Sequence, residues 1–394
     1  MHRLIYLVVF FTYLNVNASG IDTIPFSKID SLTYSLYLKG DWTNLKSVGD
    51  KLLDNKIDWY YLRLRLAEAN IQLNNPALAL KHILKAEKFS GGDAICDELT
   101  IRSNLQYGRY NQALFVVMRD KSSDSAKSLK KRRVLNNTEI EGVIKTASNP
   151  DLGVFSGLRF GTSSYFGKRF SLYLSGQFYS QKNSHRDSLR NSISMKVEQQ
   201  QYYAKLNFMF SKDVNLFLGG QFSSTLVTSF NQKNYLAFGG LEIIKPYMKY
   251  KISAASTDFN NSNKIISSAA ISAFPLGNND FYSWMTYTNI YDADSSTDNS
   301  IVDVGVGGRL AKNLWTDIFV TPMHYDFHTL NDYEVTFNLQ DRVNFKIGGG
   351  LSYYGFKNLA VKVNYIIEYM QITGIPQVKN YTQNTITLCL SWYR

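Results

Sequence analysis

The sequence predicts an α + β chain in which a helical repeat array precedes an antiparallel transmembrane β-barrel of about 12 strands. Three observations predict it. An N-terminal apolar run marks export. A self-similarity with a period of 34 residues follows. From about residue 150 the spacing of apolar residues changes from a period near 3.6 to a period of 2.

The 394 residues are 44% hydrophobic, 19% charged and 14% aromatic, which excludes a disordered chain. A mean hydropathy of −0.22, with no long apolar run after residue 20, excludes a helical membrane protein. It leaves a membrane barrel open, because every second residue of such a strand faces water. A net charge of +11 would suggest nucleic acid for a cytosolic protein. Export argues against that partner, so no nucleic acid is expected.

Residues 1–18 read as a secretory signal peptide: Met1-His2-Arg3, an apolar run from Leu4 to Leu14, then Val16-Asn17-Ala18. The run is too short to span a bilayer. The two cysteines, Cys96 and Cys389, fall in different domains, so no disulfide framework is expected.

Residues 25–122 carry the repeat. Gly40, Asn74 and Gly108 stand at equivalent places, each followed by an aromatic or a proline: Trp42, Pro76 and Tyr110. Gly or Asn there suits a tight turn with positive φ between two helices. Three residues after the aromatic or proline come Leu45, Ala79 and Ala113, where paired helices approach closely; seven further come Leu52, Ala86 and Asp120, the last out of pattern. The period and these residue classes resemble the tetratricopeptide repeat, which implies a curved α-solenoid that binds a periplasmic protein or a polysaccharide chain. Residues 123–149 read as a basic linker holding Lys127, Lys130, Lys131, Arg132 and Arg133, either solvated or in contact with anionic head groups.

Residues 150–394 read as the barrel. In Leu359–Met370, one face carries Leu359, Val361, Val363, Tyr365, Ile367 and Tyr369, the other Lys362, Asn364 and Glu368 among others. Met248, Tyr250, Ile252 and Ala254 likewise oppose Lys249, Lys251 and Ser253. Short connections, such as Ser211–Asp213, Ile244–Pro246 and Leu276–Asp280, alternate with longer polar ones, including Phe327–Asp332 and Thr373–Asn380. At about 20 residues per strand and turn this gives about 12 strands, with 14 open, since Tyr333–Tyr353 holds one strand or two. The chain ends Trp392-Tyr393-Arg394, similar to the terminal strand of outer-membrane proteins apart from the final arginine.

Together these segments resemble the YaiO-type outer-membrane proteins and, more distantly, exopolysaccharide export porins. The resemblance implies a barrel in the outer membrane of a Gram-negative cell, in contact with its lipid, and repeats in the periplasm. Strand parity turns Arg159, Arg169, Lys205, Lys249, Lys251, Arg309, Lys346 and Lys362 inward against few acids, Asp303, Asp317 and Glu368, hence an expected net basic lumen. The function expected is export or assembly of an envelope polymer, foremost a polysaccharide. The alternatives are a non-conducting anchor whose array binds a periplasmic protein, and a lipid-modifying barrel enzyme. His324, Asp326 and His328, at alternate positions, would share one strand face and could bind a metal or act as a base, but no nucleophile motif accompanies them. No enzyme activity, cofactor or metal is therefore expected; His82 and His185 read as surface residues.

Overall fold

The computed structural model describes residues 25–117, 129, 135–167, 169–186, 192–227, 230–259, 262–330, 332–372 and 379–393. The signal segment and the basic cluster from Lys127 to Arg133 lie outside them.

Six helices with described bounds come first: α1 Phe26–Leu38, α2 Trp42–Asp54, α3 Tyr60–Gln72, α4 Pro76–Ser90, α5 Ala94–Gln106 and α6 Tyr110–Val116. Short acceptor side chains start three of them. Asp41, Asn75 and Asp93 each accept a backbone N–H of the following turn. Gly40, Asn74 and Gly108 take φ of 68°, 56° and 70° at the turns. Ala79, Ala86 and Ala113 are fully buried, and Trp42 packs edge-on against Tyr37. No described helix is long and apolar enough to cross a membrane.

Fifteen strands follow. They are β1 Leu135–Ala147, β2 Leu152–Phe166, β3 Phe170–Arg186, β4 Ser192–Met209, β5 Val214–Val227, β6 Phe230–Ile244, β7 Met248–Phe259 and β8 Ser262–Ala273. The rest are β9 Phe281–Asp292, β10 Thr297–Ala311, β11 Leu314–Thr321, β12 Tyr325–Leu330, β13 Val335–Phe356, β14 Leu359–Gln371 and β15 Asn380–Tyr393. Neighbours in chain order pair antiparallel from β1 to β11 and from β12 to β15, β1 pairs with β15 and β11 with β13, so fourteen strands close the wall and β12 stands outside the count. Closure satisfies the backbone groups that lipid would leave unpaired.

Outward positions carry the apolar belt: Leu218, Ile252, Ile318 and Ile386 are 54–60% exposed. Between them the chain turns Gln177, Gln201, Lys346 and other polar groups inward. This is an outer-membrane β-barrel fold.

Two expectations are corrected. The wall has fourteen strands, not about twelve, and one reason is that Leu135–Ala147, read as linker, forms β1. Its alternation of Glu139, Glu141, Val143 and Lys145 with Thr138, Ile140, Gly142 and Ile144 is too polar for hydropathy to expose. The helices, moreover, are not a tetratricopeptide solenoid. Any stack of equal helical hairpins repeats its turns at a fixed period; this stack is bonded to the barrel rim rather than hanging free. Ala77 N–H donates to Gly277 O (3.0 Å), Asn279 Nδ2 to Tyr107 O (3.0 Å), Tyr107 OH to Pro246 O (2.8 Å), and Lys212 pairs with Glu87 (2.7 Å). All these partners sit on the short turns of one rim.

The ladder between β10 and β11 begins at Val304, because β11 stops at Thr321. Above it, Thr297–Asp303 pairs on the β9 side alone among the described residues. In the place of a longer β11, the hairpin of β12 and the first third of β13 folds into the lumen: Val335–Asn338 of β13 pair only with β12, whereas Arg342 onward joins β14.

Candidate functional site

The inward hairpin ends in a turn whose Asp332 and Tyr333 both take left-handed φ, 57° and 68°. Such a conformation costs a residue with a Cβ about 1 kcal/mol or more, so surrounding contacts must hold it. They come from five strands. Asp332 forms ion pairs with Lys205 of β4 and Lys251 of β7, while its carbonyl accepts from Tyr203 OH (2.8 Å). The Tyr333 ring lies 5.2 Å from Phe238 and its hydroxyl 2.9 Å from Ser253 Oγ. The Glu334 carbonyl accepts from Gln177 Nε2 (3.0 Å) and Gln221 Nε2 (2.7 Å).

Glu334 also completes a cluster on Arg159. That guanidinium meets Glu139 (2.8 Å), Glu334 (2.8 Å) and Glu141 (3.3 Å), and Tyr173 OH bridges Glu139 and Glu334. Gly161 makes the space, since a Cβ there would sit 2.6 Å from Glu139 Oε1 and from Tyr173 OH. At the hairpin base, Phe327 packs on Phe259 at 5.0 Å and His328 Nε2 lies 3.1 Å from Asp303 Oδ2.

Between this plug and the helical layer lies a cavity of about 960 Å³. It reaches from Asp332 and Tyr333 down to Asn279 and Gly108, and Trp284, Trp315, Lys249 and Lys362 face it. At its lower end Arg109 lies 3.7 Å over the Tyr107 ring, and burial pushes the Tyr107 hydroxyl up to about 12 while desolvation lowers Arg109.

Of the eight cations expected inward, Arg159, Lys205, Lys249, Lys251, Lys346 and Lys362 are in the lumen. Lys249 pairs with Glu242 (3.1 Å), Lys362 with Asp317 (3.3 Å), and Lys346 is opposite Glu368 in the ladder. The other two are at the rim, Arg309 on Asp280 (2.6 Å) and Arg169 5.3 Å from the Phe115 ring. The expected net basic lumen is corrected: Glu139, Glu141, Glu242, Asp332 and Glu334 join the three acids foreseen. Four of the five fall in stretches with weak or ambiguous strand patterns, β1 and the hairpin tip.

His324, Asp326 and His328 do not share a face. A register shift between Tyr325 and Phe327 breaks parity, so Asp326 is exposed on Arg342 while His328 is buried. No cluster of His, Cys, Asp or Glu that could hold a metal occurs among the described residues. His82, expected at the surface, is 4% exposed beside Arg63, and burial lowers its imidazole to about 4. His185's side chain lies outside what is described.

No protein-family model matches this chain, and no curated protein does. Solved structures similar to it include the CymD monoaromatic hydrocarbon channel (10% identity, TM-score 0.45, covering 71% of this chain and 92% of that one). The P. putida toluene transporter TodX is similar at 6% identity and TM-score 0.46 (69% and 94%). The Acinetobacter baumannii outer membrane protein Omp33 is similar at 8% and 0.37 (66% and 99%).

The expectation of polysaccharide export is corrected. The path a polymer would need is crossed by a hairpin pinned to β2, β3, β4, β5 and β7. The alternatives fall with it. The anchor reading rested on a tetratricopeptide array, which these helices do not form, and the lipid-modifying enzyme on His324, Asp326 and His328, of which His328 alone is buried.

Proposed function

We propose that the protein is a gated outer-membrane channel for a small organic solute, with the β12–β13 hairpin as the gate and the cavity beneath it as the binding chamber. The single observation that carries this reading is the plug held by ion pairs above a cavity of about 960 Å³, a volume suited to one small molecule. Aromatic packing of Phe327 and Tyr333 seats the hairpin, and the ion pairs of its strained turn with two wall lysines are the contacts a ligand or a field can compete for.

Short turns lie on the periplasmic side of such barrels, so the helical layer covers the periplasmic mouth. The test is conductance in a planar bilayer. Wild type should show small, infrequent openings. Asp332→Asn removes the anion from between Lys205 and Lys251 and should raise conductance several-fold with a preference for anions. If neither protein conducts or lets solutes leak from liposomes, the channel reading fails.

A further inference from the structure

The geometry points to the class of solute: a small, flat, ring-bearing anion such as an aromatic carboxylate, bound in the cavity between the hairpin and the helical layer. This rests on the channel reading above and adds to it. No Ala, Val, Leu, Ile, Met or Pro lines the cavity among the described residues; beyond lysine stems and threonine methyls its apolar surface comes from rings, Phe274, Tyr282, Trp284, Trp315, Phe319 and Tyr354 foremost. An alkyl chain would meet no aliphatic groove there, whereas a flat ring finds partners at stacking distance.

The rings are ordered. Tyr107 of the helical layer lies 5.6 Å from Phe274, Phe274 6.4 Å from Tyr282, and Tyr282 6.0 Å from Trp284 with planes 27° apart. This ladder leads from the rim into the lumen, so a ring can pass from one face to the next.

Charge selects within ring-bearing molecules. Lys249 and Lys362 have side chains 40% and 43% exposed, the most open of the lysines paired within the lumen. Glu242, the partner of Lys249, is not among the residues lining the cavity. Asp317, the partner of Lys362, is 20% exposed and already accepts the Tyr282 hydroxyl. The charge most accessible to a solute is therefore positive, and a carboxylate can replace water on either ammonium while its ring stacks on Tyr282 or Trp284.

The experiment follows tryptophan emission of the full chain in detergent, titrated with benzoate, benzyl alcohol, cyclohexanecarboxylate and glucose. Benzoate should quench saturably, and each of the other three should bind about tenfold more weakly or less. The double variant Trp284→Phe, Trp315→Phe should lose most of the quench. The double variant Lys249→Gln, Lys362→Gln should weaken benzoate about tenfold and leave benzyl alcohol unchanged. Mobility before and after boiling shows that each variant has folded.

Equal affinity for benzyl alcohol would overturn the charge requirement, and equal affinity for cyclohexanecarboxylate the ring requirement. Glucose alone quenching, or quenching that persists in a folded Trp284→Phe, Trp315→Phe double variant, would overturn the site. Silent benzoate titrations beside a conducting Asp332→Asn channel would sink the solute class and leave the channel standing.

Discussion

At the scale of single residues, the lumen is governed by charges that depend on one another. Arg159 is shared by Glu139, Glu141 and Glu334, so removing it leaves three carboxylates at short range. Breaking a buried ionic cluster from one side costs about 3–5 kcal/mol. Arg159→Met should therefore lower markedly the temperature at which the compact unboiled band converts to the unfolded one on a gel. His82 makes a different prediction. Its folded pKa is depressed to about 4 from 6.5, so the unfolded chain takes up the proton first as pH falls. Its stabilising effect is whole above pH 6.5 and is lost progressively down to about 4, a loss on the order of 3 kcal/mol. Thermal melts of the helical signal between pH 7 and 4 should show that slope, and His82→Gln should flatten it.

At the scale of elements, the docking of helices on strands turns on a few backbone contacts. Gly277 has φ 73°, and a Cβ there would lie 2.3 Å from Asn75 Oδ1, the group that caps α4. Gly277→Ala should thus cost more than about 1 kcal/mol at this joint. Limited proteolysis is the check: the variant's helices should be digested faster while the barrel resists. Much of the element pattern was legible beforehand. The faces of β7 and β14 alternate as Tyr250, Ile252 and Val363, Tyr365 required, because lipid rewards a strict period of 2. The hairpin was not legible, since Phe327–Asp332 is polar enough to read as a loop. Only tertiary pairing with Lys205 and Lys251 turns that polarity inward. The lumen cations were foreseen by parity, but of their acids Asp332 lay in the stretch read as a loop and Glu334 in the segment whose strand count was left open.

At the scale of the whole molecule, the helices and the hairpin bound one chamber from opposite ends of the same cylinder. The fold class was readable because export, helical period and strand period each leave independent marks. The relation between the two parts was not, because Tyr107–Pro246 and Asn74–Asp280 are contacts between residues far apart in sequence. The half-laddered β10 has a consequence for how such a cylinder yields. From Asp298 to Ile301 every second amide proton faces the side that has no ladder partner among the described residues, so thermal breathing begins at that corner. A tear started there runs downward like an unfastened zip, and the opposite rim, clamped beneath its helices, parts last.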